Sequence, residues 1–392
     1  MSELLESRWL DTKNALLEGL QGNKKSVMAT TLENTRRYLS ESATAGATSA
    51  GNVATLNRVI LPVIRRVMPT VIANELVGVQ PMTGPVGQIH TLRVRYSDTV
   101  AANGGVVGTA AGEEALSPFK IAEQYSGANT GRAASTAVLE GAAGNKMSIQ
   151  ILKQTVEAKT RKLSARWTFE AAQDAQSMHG IDVEAEIMAA LAQEITAEID
   201  QEVLGSLLTL AGTAAQTYNQ AAVSGTATFV GDEHAALAVQ INRVSNLIAQ
   251  RTRRGAGNWA VVSPFALTIL QSATTSAFAR TTEGTFEAPT NTKMVGTLNN
   301  AMKVYVNTYS SDAAPVLIGY KGSSESDAAA FYCPYIPLMS SGVVLDPGTF
   351  EPTVSFMTRY GYVELNNTAS SLGNAADYLG KVAITNGNVS FS

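Results

Sequence analysis

The chain has 392 residues and a near balance of 29 Lys and Arg against 33 Asp and Glu, for a formal net charge of −4. That balance excludes the basic profile of a dedicated nucleic-acid binder, and a single cysteine, Cys333, excludes an intrachain disulfide and fits a reducing compartment. Charged residues make up only 16%, below the ~25% of ordinary soluble domains, and a low-charge surface rich in small residues is easily buried against neighbouring molecules.

Leu4, Leu5, Trp9, Leu16, Leu17 and Leu20 fall near helical spacing, and Gly19 and Gly22 mark the expected end of this first helix. SATAGATSAGN, residues 42–52, reads as a flexible linker. An amphipathic arm on such a tether needs a partner surface, in its own chain or the next. Residues 53–77 resume helical character, interrupted by Pro62 and Pro69. VGVQPMTGPVGQIHTLRVRYSD then predicts a turn followed by a strand through Ile89, Leu92, Val94 and Tyr96. Residues 97–149 are rich in Gly and Ala and sparse in large apolar side chains. They predict no core of their own, and a long projecting β-hairpin accounts for them.

SIQILKQTVEAKTRKLSARWTF, 148–169, alternates as strand with its basic residues on the exposed face. The strongest periodic signal covers 182–210, where Ile187, Leu191, Ile195, Ile199, Val203 and Leu207 recur every four residues. Asp182 is placed to cap this helix, with Glu184 and Glu186 in the first turn. At 1.5 Å per residue it spans ~40 Å, and its slowly winding stripe suits a helix lying across a sheet. Residues 211–340 predict a compact α/β region. Leu237, Ile241, Val244 and Ile248 mark a helix, and NWAVVSP a buried strand ending in a Ser263–Pro264 cap. KVYVNTY, APVLIGYKG and AAAFYCPYIPL follow as three strands, TVSFMTRYGYVEL as a longer one, and KVAI closes the series. The predicted class is α+β with a discontinuous domain.

Chemical motifs are scarce. His90, His179 and His234 show no metal-ligand spacing, Cys333 has no nucleophile motif, and no GxSxG, Walker A or GxGxxG sequence occurs. Arg251, Arg253 and Arg254 could bind phosphate, complement a helix end, or meet acidic residues of a neighbouring subunit. Glu194, Glu198 and Glu202 repeat every four residues and read as a solvated face. No catalytic residue, metal or cofactor is expected, and the chain reads as a non-enzyme. The first twenty residues lack a secretory apolar region, and no apolar run reaches the ~18 residues of a membrane span.

Three stretches resemble the major capsid protein of T-even-type myophages. They are VIRRVMPTVIANELVGVQPMTGPVGQIHTLRVRY at 63–96, VEAKTRKLSARWTFEAAQDAQSMHGIDVEAEIMAALAQEITAEIDQEV at 156–203, and a scattered series formed by GNWAVVSP, VGTLNNAMKVYVNTYS, LIGYKG, SDAAAFYCPYIPL and TRYGY. The resemblance implies the HK97 fold. On that reading 1–60 is an N-terminal arm and 97–150 an extended loop. Residues 61–96, 151–210 and 341–392 form a peripheral domain with the long helix as its spine, and 211–340 an axial α/β domain. T-even relatives carry an insertion domain in the extended loop, for which this chain has too few residues, so a minimal form is expected. Leu39-Ser40-Glu41 fits the family's cleavage pattern, but the chain begins at Met1, so the arm is expected to be retained.

The implied function is self-assembly into hexamers and pentamers of an icosahedral head around double-stranded DNA, without sequence-specific binding and without a membrane. Portal, scaffold and decoration (cement) proteins are the further partners the resemblance suggests, and assembly would take place in the host cytoplasm. Candidate assembly contacts are Leu5, Trp9, Leu16 and Leu20 on the arm, Glu113, Glu114, Phe119 and Lys120 on the loop, and Arg251, Arg253 and Arg254. An encapsulin-like nanocompartment shell of the same fold and, in a different class, a cytosolic α/β hydrolase are the alternatives.

Overall fold

The computed structural model describes residues 22–44, 72–101, 108–113, 135–140, 144–179, 182–219, 230–252, 254–273, 278–280, 293–299, 301–325, 327–349, 351–365 and 375–385, with positions 9, 13, 14, 16, 17, 20, 115, 125 and 126 besides. Of the helix expected at 53–77, residues 53–71 lie outside the described residues and Ala73–Leu76 is helical. Of the linker expected at 42–52, residues 42–44 are instead the end of a helix and the rest lies outside, as do the Leu39-Ser40-Glu41 side chains. The chain divides into two compact units, one from 1–87, 156–205 and 331–363, the other from 88–155, 206–330 and 364–392.

In the first unit, helix α1 runs from Gly22 to Thr44. It was not expected. Gly22, at φ 62°, sits at the junction after the first arm helix and opens the second. Val27, Met28, Thr31 and Leu32 form its buried stripe. Asn34 fastens it by donating to the carbonyls of Met82, at 2.7 Å, and Tyr335, at 2.9 Å.

The sheet of this unit contains β1 (Gly78–Val79), β4 (Lys159–Arg166), β11 (Ala330–Ser340), β12 (Val344–Leu345) and β13 (Pro352–Glu364). β13 pairs antiparallel with β4 from Thr353↔Arg166 to Tyr360↔Lys159, and β1 joins β11 in parallel. Along β13 Val354, Phe356, Thr358 and Tyr360 alternate inward, each at most 4% exposed.

Helix α2 covers Phe169–His179 and α3 covers Val183–Leu210. The α3 cap forms as expected, with Asp182 Oδ1 accepting from the amides of Glu184 and Ala185. Leu191, Ile195, Ile199, Val203 and Leu207 are all buried, and Ala192, Thr196, Asp200 and Leu204 beside them widen the stripe to two residues per turn.

In the second unit, seven strands follow the order β5-β14-β10-β6-β9-β8-β7. Their ranges are β5 Gln216–Asn219, β6 Trp259–Val262, β7 Phe278–Arg280, β8 Lys293–Leu298, β9 Met302–Val306, β10 Val316–Gly319 and β14 Leu379–Thr385. Helix α4, Val230–Thr252, packs on this sheet through Leu237, Ile241, Val244 and Ile248, each at most 1% exposed. Helix α5, Pro264–Ser272, begins at the expected cap, where Ser263 Oγ accepts from Ala266 N at 3.2 Å.

Two strands depart from the expected boundaries. AAAFYCPYIPL, placed with 211–340, forms β11 of the first unit's sheet, where Phe331, Tyr332, Cys333, Ile336 and Leu338 are buried. KVAI, placed with 341–392, belongs to β14 of the second, between β5 and β10. Gly380 is what lets β14 lie against α4, since a Cβ there would stand 2.5 Å from Val244 Cγ1.

Strands β2 (Val86–Tyr96) and β3 (Met147–Glu157) form a separate two-stranded ribbon. The hairpin expected over 97–149 lies in large part outside the described residues, with these strands flanking it, and the expected absence of a core does not hold where the loop is described. Tyr96, Val100, Ala115 and Tyr125 make a small buried cluster, with the two tyrosine rings 4.3 Å apart. Its members are too far apart in sequence for a periodic pattern to reveal them.

Candidate assembly surfaces

The arm residues are described in part. Trp9 donates its indole N–H to Glu33 Oε2 at 3.4 Å, and Lys13 pairs with the same carboxylate at 3.1 Å. Leu16 and Leu20 are half-buried, while Leu17 is the deeply buried one at 7% exposure. Trp9 thus engages α1 of its own chain, the nearer of the two partner surfaces that a tethered arm allows. Leu5 lies outside the described residues.

In the loop region Glu113 is half-buried and turns back on itself. Its Oε2 accepts from the Ala110 amide and its carbonyl from the Tyr96 amide. Glu114, Phe119 and Lys120 lie outside the described residues. Lys146 is built into the base of the loop, its amide donating to Asp98 Oδ2 at 2.7 Å and its carbonyl accepting from the Tyr125 hydroxyl.

The basic cluster is divided by the fold. Arg251 lies in the last turn of α4, where a cation complements the helix dipole. Arg254 ion-pairs with Asp327 at 2.6 Å, and Tyr378 donates to the same carboxylate. Its acidic partner is therefore in its own chain. Arg253 lies outside the described residues.

Sequence reading missed three further features. The first is the ribbon face. Met147, Ile149 and Ile151 alternate along β3 and are 54%, 67% and 66% exposed. Three apolar side chains on one face of a thin ribbon form a patch that calls for a covering surface. The 2-residue period was visible, but nothing in it says that no second layer covers the strand. The second is an open groove of about 360 Å³ whose lining includes Trp167, Phe169, Asp182, Val183, Val343 and Pro352, with Phe169 56% exposed.

The third is a polar hub that joins α3 to the sheet. Arg161 of β4 donates Nη1 to Glu198 at 2.7 Å, Nη2 to Glu202 at 2.6 Å and Nε to the Tyr360 hydroxyl at 2.6 Å. Tyr360 in turn donates to Glu202. Burial alone would raise the Glu202 carboxyl, but hydrogen bonds from Tyr360 and Arg161 outweigh it and hold the group below its ordinary value. Glu198 and Glu202 are thus more than a solvated face.

Other titratable groups are embedded. Cys333 is 1% exposed and burial pushes its thiol up to about 12, as expected of an inert core cysteine. His234 meets Ser272 Oγ through Nδ1, and burial lowers its pKa. Among the described residues no group of three His, Cys, Asp or Glu is arranged to hold a metal, and no helix is long and apolar enough to cross a membrane.

Comparison with known proteins gives a consistent result. The family described as Major capsid protein Gp23 matches residues 53–384. The major capsid protein of Enterobacteria phage T4 is 30% identical, with 86% of this chain and 80% of that protein covered. That of Vibrio phage KVP40 is 28% identical, covering 84% of this chain and 80% of the relative. Among solved structures, the capsid of Myoviridae phage XM1 is similar at a TM-score of 0.45 and 9% identity, over 80% of this chain and 92% of that one.

Proposed function

The chain belongs to the major capsid protein Gp23 family, the structural shell proteins of tailed phages, and on that premise we propose how its surfaces build the shell. The nanocompartment alternative is set aside, because the family match is to phage capsid proteins. Copies associate as hexamers and pentamers that tile an icosahedral head around double-stranded DNA, and the protein performs no catalysis. The α+β architecture, with its ribbon, long helix and seven-stranded sheet, supports the HK97-type fold that the resemblance implies. In that reading the first unit supplies most of the peripheral domain and the second the axial domain, with β11 and β14 exchanged relative to the sequence boundaries.

The observation that carries this reading is the exposed apolar face of β3. Met147, Ile149 and Ile151 are more than half exposed in the isolated chain, and laid over an adjacent subunit they would be buried. At ~25 cal/mol per Å² each such side chain adds a modest increment, which a shell repeats at every subunit. The arm through Trp9, Leu16 and Leu20, the loop through Glu113, and Arg251 and Arg254 are secondary contacts in this scheme. Assembly takes place in the host cytoplasm, and portal, scaffold and decoration proteins complete the head.

Electron microscopy of purified full-length protein tests the proposal. The wild type should form closed shells, and Ile149→Ser with Ile151→Ser should remain folded yet fail to close them. Normal shells from the double variant would remove the ribbon from the mechanism, and a wild type that stays monomeric would remove the assembly scheme.

A further inference from the structure

Asp200 lies within the buried stripe of α3, next to Ile199, and is only 5% exposed. Its Oδ1 accepts a hydrogen bond of 2.8 Å from the Ile72 amide. Among the described residues this is the one hydrogen bond to the carboxyl, and no cation pairs with it. Ile72 is itself 4% exposed and leads directly into the short helix Ala73–Leu76 and then β1. Leu76, Val77 and Val79, all at most 3% exposed, seat that segment in the first unit's core. One carboxyl therefore ties the entry of the segment to a helix 128 residues downstream.

Among the described residues, the groups around Asp200 give it no electrostatic help. Tyr332 of β11 is the titratable group that senses it most directly, and burial holds that phenol protonated. Tyr360 of β13 and Glu202 of α3 lie beyond, and Arg161 is committed to both. Glu75 of the short helix is occupied by Lys24 of α1 at 2.5 Å. Cys333, beside Tyr332, is held as the neutral thiol. A neutral Asp200 here buries no charge, whereas an ionised one is a buried charge supported, among the described residues, by a single N–H. Burial, only partly offset by the Ile72 hydrogen bond, raises its pKa to about 7.

We propose that Asp200 is a protonation-controlled latch that sets how firmly the Ile72–Val79 segment is held against α3. The protonated acid holds the segment closed. Ionisation favours local opening, because the carboxylate regains water when the segment lifts away. The folded value lies above the ordinary 3.8, so the penalty is absent below 3.8, grows between there and about 7, and is complete above that. This inference concerns the fold of one subunit and stands whether or not the ribbon carries assembly.

Hydrogen–deuterium exchange on the full-length chain tests the latch through the protection factors of the Ile72–Val79 amides at pH 6, 7 and 8, corrected for intrinsic exchange. Below the folded pKa the closed segment holds a proton that the open one releases, so between 3.8 and about 7 the opening equilibrium rises by nearly the full factor of ten per pH unit, and it levels off above, where neither state holds the proton. Wild-type protection should accordingly fall by about fivefold between pH 6 and 7 and by only about twofold between pH 7 and 8, where half the acid is already ionised at the start. Asp200→Asn keeps an acceptor for Ile72 without a charge, and its protection should be independent of pH. A pH-independent wild type overturns the proposal by itself, so it remains testable even if the variant does not fold. A variant with the same pH dependence as wild type overturns it as well.

Discussion

Arg161 offers the sharpest test of what fastens α3 to its sheet. Its guanidinium makes three bonds of 2.6–2.7 Å, and Arg161, Glu198 and Glu202 are 32%, 43% and 39% exposed at the side chain. Charge-assisted bonds reach ~1.5–3 kcal/mol when buried, but an exposed ion pair is worth only ~0–1 kcal/mol because water screens it. Glu198 belongs to the second class. Glu202 also accepts from Tyr360, which lies 4% exposed, and so belongs nearer the first. Arg161→Met should therefore cost about 1–2 kcal/mol at pH 7, Glu202→Gln about 1 kcal/mol, and Glu198→Gln under ~0.5 kcal/mol. Glu202 has a depressed folded value, so its contribution is present above the ordinary carboxylate range and is lost as pH falls through and below it. Urea unfolding of full-length protein at pH 7 and in acid measures both effects. Equal losses from the two glutamine variants, or an Arg161→Met loss undiminished in acid, would refute the assignment of Glu202 as the stronger partner.

Two further substitutions probe the second unit. Gly319→Ala would place a Cβ 2.0 Å from the Trp259 ring, which is itself 3% exposed; a loss of at least ~1–3 kcal/mol is expected in thermal denaturation. In α4, Leu237→Ala at 0% exposure should cost ~2–5 kcal/mol, and Val239→Ala at 66% exposure should stay within ~0.5 kcal/mol. Similar losses from the two would mean that this helix face is assigned wrongly.

The elements with a local, repeated signal were legible in the sequence. α3 has its cap at Asp182 and a stripe at four-residue spacing, and the Ser263–Pro264 junction names both the end of β6 and the start of α5. α1 was not legible because its composition is polar and its buried side, among the described side chains, mixes apolar Val27, Met28 and Leu32 with polar Thr31 and Asn34. Gly22 was read as a stop when it also precedes a start, since a left-handed residue between two helices serves both. Strand allegiance was the other failure. KVAI and AAAFYCPYIPL look alike as apolar runs, and which sheet receives each is set by partners far away in sequence, Gln216–Asn219 for one and Gly78–Val79 for the other. The same distance hid the polar hub, because β4 register alone brings Arg161 beside Tyr360 and Glu202.

Asp200 and Glu202 show why residue type alone could not have separated the two sides of α3. They are acids two positions apart, about 200° around a 3.6-residue helix. Asp200 faces inward with one N–H to support it, while Glu202 sits at the margin with a guanidinium and a phenol. Burial dominates the first and raises it, whereas hydrogen bonding dominates the second and lowers it. Their pH responses are therefore opposite in sign. Acid removes the Glu202 contribution, and the Asp200 penalty builds as pH rises from 3.8 to about 7. The helix–sheet attachment of this unit is accordingly tightest near the ordinary carboxylate range, where Glu202 is already ionised and the Asp200 penalty has barely begun, and it loosens from there up to about 7.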